Sequence, residues 1–152
     1  MSYQVRIEQF AGRSLAVVKR RATKQELGKV IQEACGTVWN VVRSQKIQGA
    51  GRHVAVYLDQ VFNLEVGVEL EAPFGGHGEV IDSSLQAGEV ATTTHFGPYQ
   101  LLGNSHDAVQ QWCAANGREL VGPCWEIYGH WMDEWNSDPS KIRTDVYYRV
   151  KH

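Results

Sequence analysis

Glu126 and Tyr128 stand two residues apart in the segment Trp125-Glu126-Ile127-Tyr128. In a strand these two share one face, and Trp125 and Ile127 share the other. One face then offers a carboxylate beside a phenol while the other buries apolar bulk. A desolvated carboxylate attracts a cation strongly because water no longer competes. Aromatic faces add about 0.5–2 kcal/mol of cation–π attraction. The same pair also suits proton transfer. A glutamate with a raised pKa can take a proton from water or deliver one to a leaving group, while the phenol orients the substrate. The spacing equally fits a surface or structurally paired carboxylate, so binding, catalysis and structure all stay open.

Further rings are candidates to complete such a site. Trp131 and Trp135 flank Met132-Asp133-Glu134 and suit either a rim stacking on a planar ligand or a packed loop. Tyr99 follows Gly97-Pro98, where it fits a helix start or a pocket margin. Trp112 and Trp39 suit the core side of helices, with Trp112 also placed to border a pocket. Other constellations carry less. His95, His106 and His130 lack a metal-ligand spacing, so no metal is expected and their role reads as structural or incidental. Ser105, His106 and Asp107 are neighbours on a helix and cannot converge as a nucleophilic triad. Gly75-Gly76-His77-Gly78 lacks the Lys-Ser/Thr of a phosphate loop and reads as a connector. Lys19-Arg20-Arg21 with Lys24 reads as a solvated strand edge. Cys35, Cys113 and Cys124 contain no Cys-x-x-Cys pair, which predicts reduced, packed thiols rather than disulfides or zinc. No cofactor fingerprint is present.

The elements that must position these residues follow from periodicity. Strands are predicted near Gln4 to Phe10 and Ser14 to Arg21, with Gly12 at the turn between them. Thr23-Lys24-Gln25-Glu26 reads as a capping box opening a helix over 24–43. Its apolar face carries Leu27, Val30, Ile31, Ala34, Val38, Val41 and Val42. Strands follow at His53 to Leu58 and Asn63 to Leu70. The second half repeats the plan: strands at Glu79 to Leu85 and Gly88 to Phe96, a helix over 99–116, and strands at Trp125 to Trp131 and Ile142 to Val150. That helix turns Leu102, Val109, Trp112 and Cys113 to one side, and Asn116-Gly117 stops it. The intervals Ala16 to Trp39 to Tyr57 and Ala91 to Trp112 to Tyr128 match, each two residues shorter in the second half. The expected architecture is α+β: two strand–strand–helix–strand–strand units related by a pseudo-twofold, with eight antiparallel strands and two long helices in a single domain over 1–152.

Composition narrows the function. The chain has 152 residues, 43% of them hydrophobic and 21% charged, as a folded globular domain does. Fifteen Lys and Arg against 17 Asp and Glu leave a formal charge of −2, which gives no broad attraction for nucleic acid or anionic lipid. No apolar run approaches the roughly 20 residues of a membrane span, and the N-terminus lacks a signal peptide's apolar stretch. A cytoplasmic protein with neither nucleic acid nor membrane as partner is expected.

The second half carries a recognisable combination: Thr94-His95-Phe96-Gly97-Pro98-Tyr99, the helical Trp112, and Gly122-Pro123-Cys124-Trp125-Glu126-Ile127-Tyr128, with Ser137-Asp138-Pro139 and Arg143-Thr144-Asp145-Val146 downstream. This resembles the GyrI-like small-molecule-binding family, which includes effector domains of multidrug-sensing transcription activators. Asn63-Leu64-Glu65-Val66-Gly67-Val68-Glu69 looks like the family's equivalent strand in the first half, and the likeness spans essentially the whole chain. The resemblance implies an aromatic-lined cleft, with the family's cleft glutamate at Glu126 and the following aromatic at Tyr128. Regulators of the family carry a DNA-binding segment before this domain; the chain opens at the first strand and is expected to be a stand-alone member. The leading expectation is a binder of amphipathic, cationic or planar aromatic xenobiotics through Glu126, Tyr128, Tyr99, Trp112, Trp131 and Trp135. Two alternatives follow from relatives: a hydrolase of cyclopropane-containing electrophiles using Glu126 and Tyr128, and a gyrase-inhibitor-like module for a protein partner. A homodimer is also compatible.

Overall fold

Alternating apolar and polar side chains build eight strands among the described residues, 3–151 of a computed structural model. In chain order the elements are β1 (Arg6–Phe10), β2 (Arg13–Arg21), α1 (Leu27–Ser44), β3 (His53–Tyr57), β4 (Asn63–Leu70), β5 (Ile81–Leu85), β6 (Gly88–Phe96), α2 (Leu102–Ala115), β7 (Leu120–Tyr128), the single turn α3 (Glu134–Ser137) and β8 (Arg143–Val150). The described strand pairings are antiparallel. The fold is α+β, with eight antiparallel strands and two long helices, as the sequence pattern predicts.

The chain divides into two compact units. One unit spans Ala11 to Ala87; the other joins the residues up to Phe10 to those from Gly88 onward. In the first, the strands run β3-β4-β2-β5; in the second, β1-β6-β8-β7. β1 and β2, consecutive in the chain, belong to different units. β1 edges β6, with Ile7 opposite Ala91, and β5 edges β2, with Ser83 opposite Leu15. Each unit is therefore strand–helix–strand–strand plus one edge strand, β5 in the first and β1 in the second. Periodicity within a strand cannot reveal this, because it records which face is buried and not which neighbour supplies the hydrogen bonds.

Local chemistry explains the helices. Thr23 and Glu26 form the capping box: the Glu26 N–H donates to Thr23 Oγ1 at 3.2 Å, and the Thr23 N–H donates to Glu26 Oε1 at 3.3 Å. The helix proper starts at Leu27, three residues after the expected 24, with Glu26 as its N-cap. It buries Ala34, Val38 and Val42, whereas Trp39 is 38% exposed and lies beside His53 rather than in the core. α2 is entered through a 3-10 turn at Tyr99–Leu101 and buries Leu102, Ser105, Val109 and Cys113. The Ser105 hydroxyl donates to the Leu102 carbonyl at 2.6 Å, which satisfies a polar group on the packed side.

β4 depends on one glycine. A Cβ on Gly67 would stand 1.7 Å from the Ala16 carbonyl oxygen on β2, so only Gly permits the approach. β7 contains Pro123, which has no N–H to give a ladder. The strand accommodates it with a register irregularity between Leu120 and Cys124, and Gly122 takes a φ of +74°. This bulge sets the phase of the three residues beyond it that face α2.

Candidate functional site

Beyond the bulge, Cys124, Glu126 and Tyr128 share a face of β7, and their partners on β8 are Tyr148, Val146 and Thr144. The opposite face behaves as predicted. Trp125 and Ile127 are fully buried, with Trp125 stacked on Tyr147 at 5.6 Å, edged by Phe10 at 5.2 Å and covered by the Arg149 guanidinium.

Glu126 is only 3% exposed. A carboxylate removed from water needs hydrogen bonds on both oxygens, and both are supplied. The Tyr128 hydroxyl donates to Oε1 at 2.5 Å, and His106 Nε2 lies 2.6 Å from Oε2. His106 comes from α2 and reaches onward, its Nδ1 lying 2.7 Å from the Tyr148 hydroxyl. Gln110, one turn further along α2, donates its amide to the same hydroxyl at 2.9 Å. Tyr99 meets the Tyr128 ring edge-to-face at 5.7 Å. Thr144, opposite Tyr128, buries its hydroxyl with no hydrogen-bond partner among the described residues.

The charges are coupled. Burial pulls the His106 pKa down, but hydrogen bonds with Cys124 and Glu126, and the negative charge of Glu126, outweigh it and push the value up to about 9. Burial pushes the Tyr148 phenol up, and a hydrogen bond with Cys124 and the negative charge of Glu126 act in the same direction. Near neutral pH the site therefore holds an imidazolium against a carboxylate, with Tyr148 as a neutral hydroxyl.

Of the residues singled out in the sequence, Glu126, Tyr128 and Tyr99 come together. The tryptophans make other contacts. Trp112 packs on the cluster of Ala91, Val109, Cys113 and Val150, which also holds Tyr148. Trp131 and Trp135 pair edge-to-face at 5.3 Å; Trp135 is buried, whereas Trp131 is 52% exposed and donates its indole N–H to Asn136. His106, read from sequence as incidental, is the central missed residue, and Tyr148, Gln110 and Cys124 accompany it. Two signals mark them: His106 and Gln110 lie four apart on α2, and Cys124 continues the Glu126/Tyr128 alternation. A groove of about 860 Å³ is lined wholly within the Ala11–Ala87 unit, where Arg13 and Arg52 pair with Glu69. None of its lining residues belongs to the Glu126 network. No group of three or more potential metal ligands occurs among the described residues, and no helix among them is long and apolar enough to cross a membrane.

The GyrI-like small molecule binding domain family matches residues 3–151, and the chain belongs to that family. No match occurs among curated protein sequences. Among solved structures, the C-terminal domain of EcmrR is similar, with a TM-score of 0.79 at 22% identity over 99% of both chains. SAV2435 bound to tetraphenylphosphonium gives a TM-score of 0.67 at 14% identity, covering 99% of this chain and 94% of that one. A hydrolase encoded by lin2189 from Listeria innocua gives 0.64 at 12% identity, covering 97% and 92%. At these identities the likeness establishes the fold alone.

Proposed function

We propose that the protein binds amphipathic small molecules, cationic or planar aromatic, at the Glu126 face, acting in the cytoplasm on xenobiotics. The observation that carries this reading is the buried Glu126 carboxylate bordered by Tyr128 and Tyr99. Carboxylate charge selects a cation where water cannot screen it, and the two rings contribute apolar contact and cation–π attraction. The family supports a small-molecule ligand, and the tetraphenylphosphonium held by SAV2435 supplies a probe of suitable chemistry. In isothermal titration calorimetry at pH 9.5, above the His106 value, Glu126→Gln is expected to weaken tetraphenylphosphonium by about 1–3 kcal/mol, the range for interactions with a buried charge. The neutral triphenylphosphine oxide is expected to change much less. Equal affinity of wild type and variant for the cation would remove Glu126 from the site.

A second reading is hydrolysis, favoured by the way Tyr128 and His106 hold both oxygens of one buried carboxylate. Such a group is positioned to exchange a proton with a water or a leaving group. On this reading Glu126 moves the proton and Tyr128 orients the substrate. Incubation with a cyclopropane-containing electrophile, followed by product analysis, separates the two. Turnover that Glu126→Gln abolishes while binding persists supports hydrolysis; bound but unchanged compound supports the binder.

A further inference from the structure

We propose that His106 is a built-in counter-ion for Glu126, so that a cationic ligand enters only by expelling one proton from the Glu126–His106 pair. The inference rests on the reading that Glu126 receives the cation, and it makes His106 the residue that sets the ligand charge the site accepts.

The geometry carries the argument. His106 Nε2 and Glu126 Oε2 are 2.6 Å apart, and the Glu126 side chain is 4% exposed. A single proton lies between them, whichever atom holds it, and with it the pair is neutral overall. A neutral pair offers a cation no net attraction, and an imidazolium at this distance repels it. Once the proton leaves, the pair carries one negative charge inside a poorly hydrated site. The cation and the proton are then alternative occupants, and each lowers the affinity of the other by the same factor.

The surroundings let the proton leave without stranding a partner. When His106 is charged, Nδ1–H donates to the Tyr148 oxygen, which also accepts from Gln110, and the Tyr148 hydrogen turns elsewhere. When His106 is neutral with its hydrogen on Nε2, Nδ1 accepts from Tyr148 while Gln110 still donates to the phenol. A hydroxyl that both donates and accepts serves either state, and the 2.7 and 2.9 Å contacts fit both. The other groups facing His106 are accounted for. Glu126 and Cys124 face it from β7, and Tyr148 from β8, its phenol kept neutral by burial. His95, on the α2-facing side of β6, is engaged by the Tyr3 hydroxyl and the Pro98 carbonyl.

The expected size follows from the His106 value of about 9. At pH 7 about one pair in a hundred has lost its proton, so the cation binds roughly 100-fold more weakly than at the alkaline plateau. Affinity for tetraphenylphosphonium should rise about tenfold per pH unit from 7 and flatten above 9. Calorimetry at pH 7 in two buffers of different ionisation enthalpy should show about one proton released per cation bound. Triphenylphosphine oxide should show neither effect. His106→Asn should bind the cation at pH 7 with close to the wild-type plateau affinity and little pH dependence. Cys124→Ser should keep the wild-type slope; loss of the slope there would assign the proton to the thiol and overturn the proposal. The wild-type series decides alone should His106→Asn not fold. Binding that depends on Glu126 but is flat with pH and releases no proton sinks the counter-ion role and leaves the binding reading standing. A cation that does not bind, or binds independently of Glu126, removes both.

Discussion

At Glu126 the protein meets the general problem of a carboxylate almost without water, and solves it with a phenol on one oxygen and an imidazole on the other. This arrangement has a consequence for stability as well as for ligands. The pKa of His106 rises from 6.5 in the ordinary side chain to about 9 in the fold. A raised pKa means that the folded state holds the proton more tightly than the unfolded chain. The resulting stability is fully present below pH 6.5 and is lost as pH rises through 9. Urea unfolding of wild type is therefore expected to show on the order of 1–3 kcal/mol less stability at pH 9.5 than at pH 6. His106→Gln, lacking the titrating group, should show a much smaller difference between the same two conditions. An identical pH dependence in both proteins would place the coupling elsewhere. The sequence made half of this legible. Alternation along β7 aligned Glu126 with Tyr128, but nothing in it measured the distance from α2 to β7. His106 was missed because its partners lie 20 and 42 residues away.

The elements themselves were more readable than their contacts. Residues three and four apart locate α1, and Thr23 with Glu26 locates its start to within three residues, because these signals are local and energetic at once. β4 was placed with its observed ends, Asn63 and Leu70. What local signals omit is the close passage of backbones. Gly67 lies opposite Val17 on β2 and Val54 on β3, inside the ladder, where glycine is otherwise a weak choice. The missing side chain is the point, since an added Cβ would meet the Ala16 carbonyl oxygen at 1.7 Å and the Val17 Cα at 2.8 Å. Backbone atoms cannot rotate away as a side chain can, so β2 and β4 would have to part. Gly67→Ala is expected to cost about 3 kcal/mol or more, lowering the melting temperature by roughly 10 °C. Gly28→Ala on α1, where nothing lies within 4 Å of the added carbon, should be neutral or slightly stabilising. Similar melting temperatures for the two variants would contradict the close approach.

Across the whole molecule, the exchange of edge strands ties the start of the chain to its end. β1 closes the unit that contains the Glu126 network, pairing Arg6 with Thr92 and Phe10 with Gly88, although β2 follows it immediately in sequence. Such pairing requires a long loop to close before it gives any return, which favours slow folding over fast. Phe10 anchors the strand. It is 8% exposed and meets Trp125 edge-on at 5.2 Å and Tyr147 at 5.4 Å, directly behind the strand that carries Glu126. Arg6 and Glu8, by contrast, pair with each other on the exposed part of β1 and contribute little. Phe10→Ala would leave a void against two stacked rings, at a cost of about 3–5 kcal/mol. Denaturant unfolding should show that loss, and near-ultraviolet circular dichroism should show a weakened signal from the Trp125–Tyr147 stack. Arg6→Ala should remain within about 0.5 kcal/mol of wild type. Because Trp125 and Glu126 are adjacent on β7, loosening one face should disturb the other. Phe10→Ala is thus expected to weaken tetraphenylphosphonium binding even under conditions where the variant stays folded. Wild-type stability and ring signal in Phe10→Ala would show that β1 does not brace the sheet.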